Sequence, residues 1–327
     1  AMRNTTVAFV VRRLLQLVPV VLAIAAMNFL LVKMAPGDAA DILAGQMGHA
    51  TLEFTQQLRR EFGLDLPLIE QFLIYMGRLL TLDLGVSFLQ QQPVLDLILD
   101  RLPATLVLMV TAISLAGVLG VGLGVAAARR QGSWIDNLVS VSALIIYATP
   151  AFWLGLMLIV LFSIKLDLLP SGGMMQIGAG KTGLVYALDV ARHLILPAAT
   201  LGLFYVAIYT RLMRAAMLEV YGLDFITAAR AKGLSEGVIA WTHALRNALL
   251  PVVTLAGVQI GHLLGGSVLV ETVFGWPGLG RLVFDALLQR DLNLLLGILF
   301  VSSVVVVIAN LIVDLLYGLL DPRIVHK

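Results

Sequence analysis

Long apolar runs alternate with shorter polar stretches along the whole chain. Six of the runs, at about residues 14–32, 104–128, 138–164, 194–210, 247–270 and 292–313, can each cross roughly 30 Å of hydrocarbon as a helix rising about 1.5 Å per residue. The second and third contain no Asp, Glu, Lys, Arg or His. The pattern predicts an all-α integral membrane protein with six transmembrane helices. Within the second run, Gly120-x-x-x-Gly124 predicts a face where another helix packs closely. Thr149-Pro150 predicts a kink in the third, because proline removes a backbone donor. The fourth opens with Pro197, and the fifth begins at Leu249-Leu250-Pro251.

The polar stretches carry their own signals. Met34-Ala35-Pro36-Gly37-Asp38 ends the first run, and three short amphipathic helices are expected before residue 103. Thr51 caps one, with Phe54, Leu58 and Phe62 on a face closed by Gly63. Pro67 opens the next, with Leu68, Phe72, Tyr75 and Leu79, ending near Gly85. Pro93 opens a third with Leu95, Ile98 and Leu102. Near the end of the chain, Trp276-Pro277-Gly278 predicts a turn at the bilayer interface, where tryptophan is favoured. A surface helix over 279–288 should follow.

The longest polar interruption of the C-terminal half runs from Asp224 to Pro251. It reads as two short helices meeting at Gly233. Asp224 is the expected N-cap of the first, and Lys232-Gly233 ends it with a cation and a left-handed glycine. Ser235 caps a second helix that starts with Glu236. A charged hairpin between two membrane spans calls for a partner.

Composition fixes the class. Sixty per cent hydrophobic and 13% charged residues exclude a soluble domain of 327 residues, which needs more charge to cover its surface. The absence of cysteine excludes disulfides, thiolate metal sites and cysteine nucleophiles. Ala1 before Met2 is set aside, and the first run is expected to be an uncleaved span, being too long for a signal peptide. With both termini in the cytoplasm, the inside segments are the shorter set. They still hold more than half of the 22 basic residues, while most of the 20 acidic ones lie outside. The Asp224–Pro251 hairpin is then inside.

Candidate chemistry is sparse. Gly180-Lys181-Thr182 imitates a phosphate-binding loop, but the first glycine of that motif would fall on Met175, so no nucleotide site is expected. Arg211 and Arg214 either snorkel to cytoplasmic headgroups or pair with Glu219 or Asp224 and set the hairpin's angle. Gln259 and His262 lie at membrane depth and are candidates to line a path, an interhelical hydrogen bond being the alternative for His262. His262 and Ser267 are five apart on one helix and face each other poorly as a hydrolytic pair. Asp314 is within reach of cytoplasmic water or Arg323. An ion-coupled transporter would need paired acids or histidines at membrane depth, and only His262 qualifies clearly.

The stretch AARAKGLSEGVIAWTHALRNALLPVVT resembles the cytoplasmic Glu-Ala-Ala loop of bacterial ABC importer permeases, in the form found in the dipeptide/oligopeptide/nickel permease family. APGD at 35–38, FGLDLPL at 62–68, DLGVSF at 83–88, PVLDLILDRLPATL at 93–106, VETVFGWPGLGRL at 270–282 and LDPRI at 320–324 resemble further landmarks of that family, in its order. The resemblance implies a type I importer permease in the bacterial inner membrane, with no catalytic residue or cofactor of its own. It would pair with a second homologous permease, two cytoplasmic ATPases that bind ATP and Mg, and an extracytoplasmic substrate-binding protein; nucleic acid has no part. Residues 1–102 would form the first span and an extracytoplasmic helical region. Residues 103–327 would form a five-helix core with a coupling loop at 219–250.

By the same resemblance the first helix of the loop docks in an ATPase cleft. Asp224, Ala228, Ala229, Arg230, Lys232 and Gly233 are the expected coupling residues. Thr227 stands where the name-giving glutamate would be, so docking must rest on small residues, shape and neighbouring charges. The implied cargo is di- and oligopeptides, with nickel chelates, glutathione or opines as alternatives.

Overall fold

The computed structural model describes residues 2–34, 39–46, 51–61, 63–87, 89–176, 178 and 180–320. In chain order the helices are α1 (Met2–Met34), α2 (Ala39–Gln46), α3 (Leu52–Glu61), α4 (Leu68–Leu80), α5 (Val94–Arg129), α6 (Trp134–Ala148) and α7 (Ala151–Leu158). A π-helical turn (Ile159–Lys165) extends α7. Then come α8 (Gly183–Tyr221), α9 (Asp224–Ala231), α10 (Glu236–Val238), a second π-helical turn (Ile239–Ala244), α11 (Leu245–Phe274), α12 (Leu279–Gln289) and α13 (Leu292–Leu320). No strand occurs among the described residues; the isolated bridge Val86–Pro93 is the only extended pairing there. Four helices are long and apolar enough to cross a membrane, or five if the bent pair α6 and α7 is one span.

Several helices outrun the apolar runs that announce them. The helix expected to open at Pro93 and the second run are one 36-residue helix, α5, with Pro103 inside it. Its backbone ladder is indifferent to the polarity of Asp96, Asp100 and Arg101. Likewise α8 begins at Gly183 rather than near Pro197, which is buried in its interior. The second helix of the hairpin joins α11 without a break, and Pro251 lies inside the helix it was expected to start. In the third run the opposite holds. Thr149-Pro150 breaks the chain between α6 and α7 with a 107° bend, far beyond a kink. The expected helices α3, α4 and α12 are present, Thr51 Oγ1 accepting from the Phe54 amide and Gly63 closing α3 at φ +64°. The short helix α2 was not expected.

The chain divides into two compact units, residues 1–102 with 282–327 and residues 103–281. In the first, α1 packs on α13 and α4, where Phe29 meets Phe72 and Tyr75 with ring centroids 5.4 and 5.7 Å apart. Its landmark 83–88 is fixed by a buried bond from Ser87 Oγ to Asp291 (2.5 Å), which also accepts from the Leu294 amide at the start of α13. In the second unit α8 is the hub, packing on α6, α7 and α11. The landmarks 35–38 and 321–324, Phe62, Phe88 and the Asp314–Arg323 pairing lie outside the described residues.

Candidate coupling site

The hairpin expected at residues 224–251 is present, with its cap shifted by one residue. Leu223 is the N-cap of α9, and Asp224 is the first helical residue, exposed at the positive end of the helix. Lys232 closes α9, and Gly233 turns the chain at φ +78°, where a β-carbon would meet open space. The glycine is therefore required by its dihedral and not by crowding. Amides of Lys232, Gly233 and Leu234 satisfy the last carbonyls of α9. Ser235 Oγ then accepts from the Val238 amide and caps α10 as expected.

One face of α9 is internal. Ile226 and Ala229 are buried in the same core as Ile239, Ala240 and Ala244, so Ala229 supports the hairpin rather than its outer surface. Leu223, Asp224, Phe225, Thr227, Ala228, Ala231, Lys232 and Gly233 are exposed. Phe225 is 41% exposed and Leu223 45%, an apolar contribution that no charge pattern signals. Arg230, one of the expected coupling residues, is 44% exposed. It is engaged within the hairpin, with Nε 2.8 Å from Glu236 Oε1 and the guanidinium 5.8 Å from the Tyr221 ring centroid. The hydrogen bond to Glu236 holds that guanidinium above its ordinary range. A polar cleft of about 780 Å³ beside it is lined by Arg129, Arg130, Ser133, Tyr221, Arg230 and Glu236.

Behind the hairpin, α8 is gripped from two sides. Gly120 and Gly124 of α5 lie so close that added β-carbons would sit 2.7 Å from Tyr209 Cβ and 2.6 Å from Met213 Cβ. Gly117 and Gly122 face open space, so the two-glycine face is the one expected. On the other side Arg214 departs from both expectations held for it. It neither snorkels nor pairs with Glu219 or Asp224. Its Nε and Nη2 donate to the two carboxylate oxygens of Asp136 on α6, at 2.5 and 2.7 Å. Asp136 also accepts from the Gly132 amide, and its side chain is only 3% exposed. Arg211 lies 5.9 Å from the ring centroid of Tyr147, which stacks on Phe204.

At the other end of α11 a carboxylate organises the landmark 270–282. Glu271 is fully buried and accepts from Thr105 Oγ1 (2.8 Å) and the Arg281 amide (2.9 Å). Gly278 packs directly against that carboxyl, and a β-carbon on Gly280 would sit 2.6 Å from Val268 Cα. Trp276 is not an interfacial anchor. It is fully buried, and its indole donates to the Ala104 carbonyl at 2.9 Å. An indole N–H with a protein acceptor has no need of headgroups.

The remaining candidates separate. Gln259 is half-buried with Oε1 lacking a hydrogen-bond partner, whereas His262 is exposed. Ser267 is buried and donates to the Leu264 carbonyl, away from any pairing with the exposed His262. Lys181 of the phosphate-loop imitation is held by Asp189 and Gln176 at 2.8 and 2.9 Å, which makes it a loop tie. Among the described residues no group of His, Cys, Asp or Glu could hold a metal.

Comparison with known proteins agrees with this layout. Residues 120–326 match the family described as binding-protein-dependent transport system inner membrane component, and residues 6–109 match its N-terminal region. The chain is 41% identical over 335 residues to the di/tripeptide transport system permease protein DppB of Pseudomonas aeruginosa, covering 98% of this chain and 99% of that one. It is 40% identical to the dipeptide transport system permease protein DppB of Escherichia coli K12 over the same shares. A putative peptide transport system permease of Brucella abortus is also 40% identical, covering 97% and 98%. Among solved structures, an inward-facing MetNI methionine ABC transporter shares the fold with a TM-score of 0.54 at 21% identity, over 71% of this chain and 96% of that one.

Proposed function

The chain belongs to the family of binding-protein-dependent transport system inner membrane components, and we propose that it is a permease subunit of an ATP-driven ABC importer for di- and oligopeptides. The observation that carries the cargo is full-length similarity to three peptide permeases at 40–41% identity. That favours peptides over nickel chelates, glutathione or opines. The ion-coupled alternative needs paired acids or histidines at membrane depth, and the buried Glu271 is occupied by backbone and hydroxyl donors.

In this reading the chain has six spans, with both termini and the hairpin in the cytoplasm of a bacterial inner membrane. A second homologous permease completes the pathway. Two ATPases, which themselves bind ATP and Mg, dock against the hairpin, and a binding protein delivers the peptide outside. The exposed stretch 223–233, with Thr227 in place of an acid, offers a shallow apolar and small-residue surface bordered by Asp224 and Lys232. Ala229 and Arg230 act from behind, by packing and by the Glu236 tie. Nucleotide binding shifts the permease between inward- and outward-open states only through contacts that differ between them. The hairpin is where such contacts form. Gln259, polar and unpaired, is the better of the two path candidates.

The test is reconstitution of the complete importer in proteoliposomes with a labelled dipeptide. ATP-dependent uptake, abolished by a bulky Gly233→Val substitution while the chain still inserts, is the expected result. Uptake driven by an ion gradient without ATP, or purification without ATPase subunits, would refute it.

A further inference from the structure

We propose that Asp136 and Arg214 are positioning residues that carry displacement of the hairpin into the broken span α6–α7. The inference rests on the reading of the hairpin as the ATPase-facing element. Helix α8 is a single rod of 39 residues, about 58 Å long at ~1.5 Å per residue. Its last turn leads straight into α9, so a push on the hairpin reaches Arg214 about 10 Å further up. There the guanidinium meets Asp136 through two parallel N–H···O bonds. A bidentate pair fixes angle as well as distance, which an apolar contact does not.

The carboxylate end of the link is itself immobilised. Asp136 sits in the first turn of α6, capped by Ser133 and bonded by the Gly132 amide. Arg214 is fixed at its backbone as well, because its amide nitrogen lies 3.1 Å from where a β-carbon of Gly124 would be. Helix α6 is thus a 15-residue arm tied to α8 at its cytoplasmic end. Its other end is the 107° break at Thr149-Pro150. Near that break the arm touches α8 again, through Tyr147 on Phe204 and Arg211. Of these contacts the ion pair alone joins a buried carboxylate to its partner through two directional hydrogen bonds. Cutting it frees the arm's angle while leaving the hairpin, the break and the ATPase surface in place.

The chain contains no cysteine, so introduced thiols in it are unique. The experiment uses the complete importer in proteoliposomes, with thiols of the other subunits blocked, and reads peptide uptake and ATP hydrolysis separately. Asp136→Asn keeps the size of the side chain and leaves Arg214 30% exposed to water, so the variant should assemble. Expected is ATP hydrolysis near the unmodified rate, with uptake per ATP lower by about tenfold. A D136C/R214C double variant should be uncoupled in the same way. Its uptake should return on bridging with a short reducible bis-thiol reagent and vanish again on reduction. Unchanged uptake per ATP in D136N would overturn the inference. So would equal loss of hydrolysis and uptake that bridging fails to restore, since that marks a purely structural pair. If the unmodified importer shows no ATP-driven uptake, the reading of the hairpin fails rather than the link.

Discussion

Four glycines of α5 give a sharp physical contrast within one helix. Alanine is favoured over glycine in a helix interior by roughly 0.5–1 kcal/mol. At Gly117 and Gly122 an added β-carbon meets nothing within 4 Å, so that gain should appear almost undiminished. At Gly124 the same atom would lie 2.6 Å from Met213 Cβ, 2.8 Å from the Thr210 carbonyl oxygen and 3.1 Å from the Arg214 nitrogen. Two of those three atoms are backbone, so no rotamer change relieves the contact. Helices α5 and α8 must separate by the better part of an ångström, and overpacking of that kind costs about 1–3 kcal/mol. Gly124→Ala should therefore be destabilising by ~1–2 kcal/mol net and Gly122→Ala stabilising by up to ~1 kcal/mol. Denaturant titration of the isolated subunit in a fixed detergent measures both. Shifts of the same sign and size, two residues apart on one helix, would refute the assignment of the packed face. Gly120→Ala, facing Tyr209 Cβ at 2.7 Å, should side with Gly124.

Further outcomes follow from the buried polar nodes. Arg214→Gln leaves the 3%-exposed Asp136 carboxylate without its counter-ion and should cost about 3 kcal/mol, whereas Asp136→Asn leaves a partly solvated guanidinium and should cost nearer 1; equal losses in the same titration would contradict the burial asymmetry. Gly280→Ala drives a β-carbon into the Val268 backbone at 2.6 Å and should cost at least ~2 kcal/mol, with expression and thermal midpoint both reduced; a neutral outcome would exclude the close approach. Trp276→Phe removes a buried indole–carbonyl hydrogen bond while the Ala104 carbonyl keeps its place in the α5 ladder, so the loss should include about 1 kcal/mol beyond the ring's lost area; indistinguishable midpoints would remove the hydrogen bond. Arg230→Ala removes an exposed pair, 44% and 60% accessible, and should change stability by less than ~1 kcal/mol.

What was legible in the sequence follows from what each signal measures. Apolar runs report burial in hydrocarbon, and they located five of the helical rods and the break at Thr149-Pro150. They do not report hydrogen bonding, which continues through charged residues as readily as through leucine. Hence α5 runs on through Asp96, Asp100 and Arg101, while α11 carries Pro251 inside it with the loss of one backbone hydrogen bond. Local capping chemistry was equally readable: Ser235, Thr51 and the left-handed Gly233 act within four residues of themselves. Long-range partners were not. Nothing near Arg214 in the chain points to Asp136, 78 positions away, and local logic offered Glu219 and Asp224 instead. Trp276 failed for the same reason, since interface preference is a statement about tryptophan in general, while its acceptor lies 172 positions upstream.

The landmarks that carried the resemblance nevertheless mark those hidden contacts. The segment 83–88 supplies Ser87 to Asp291, and the segment 93–106 supplies Thr105 and the Ala104 carbonyl to Glu271 and Trp276 of the segment 270–282. Each of these three segments is one half of a buried polar lock closed by a distant partner. An apolar membrane core has many near-equivalent packings, because one leucine face slides on another at little cost. A buried carboxylate with several donors tolerates no such slip, since each lost partner leaves a polar group unsatisfied in a dry interior. These locks fix register where the hydrophobic pattern leaves it free. The Asp136–Arg214 pair has the same chemistry but ties a helix that leads to the hairpin and another that leads to the break. In a protein that must move, that placement turns a register lock into a linkage.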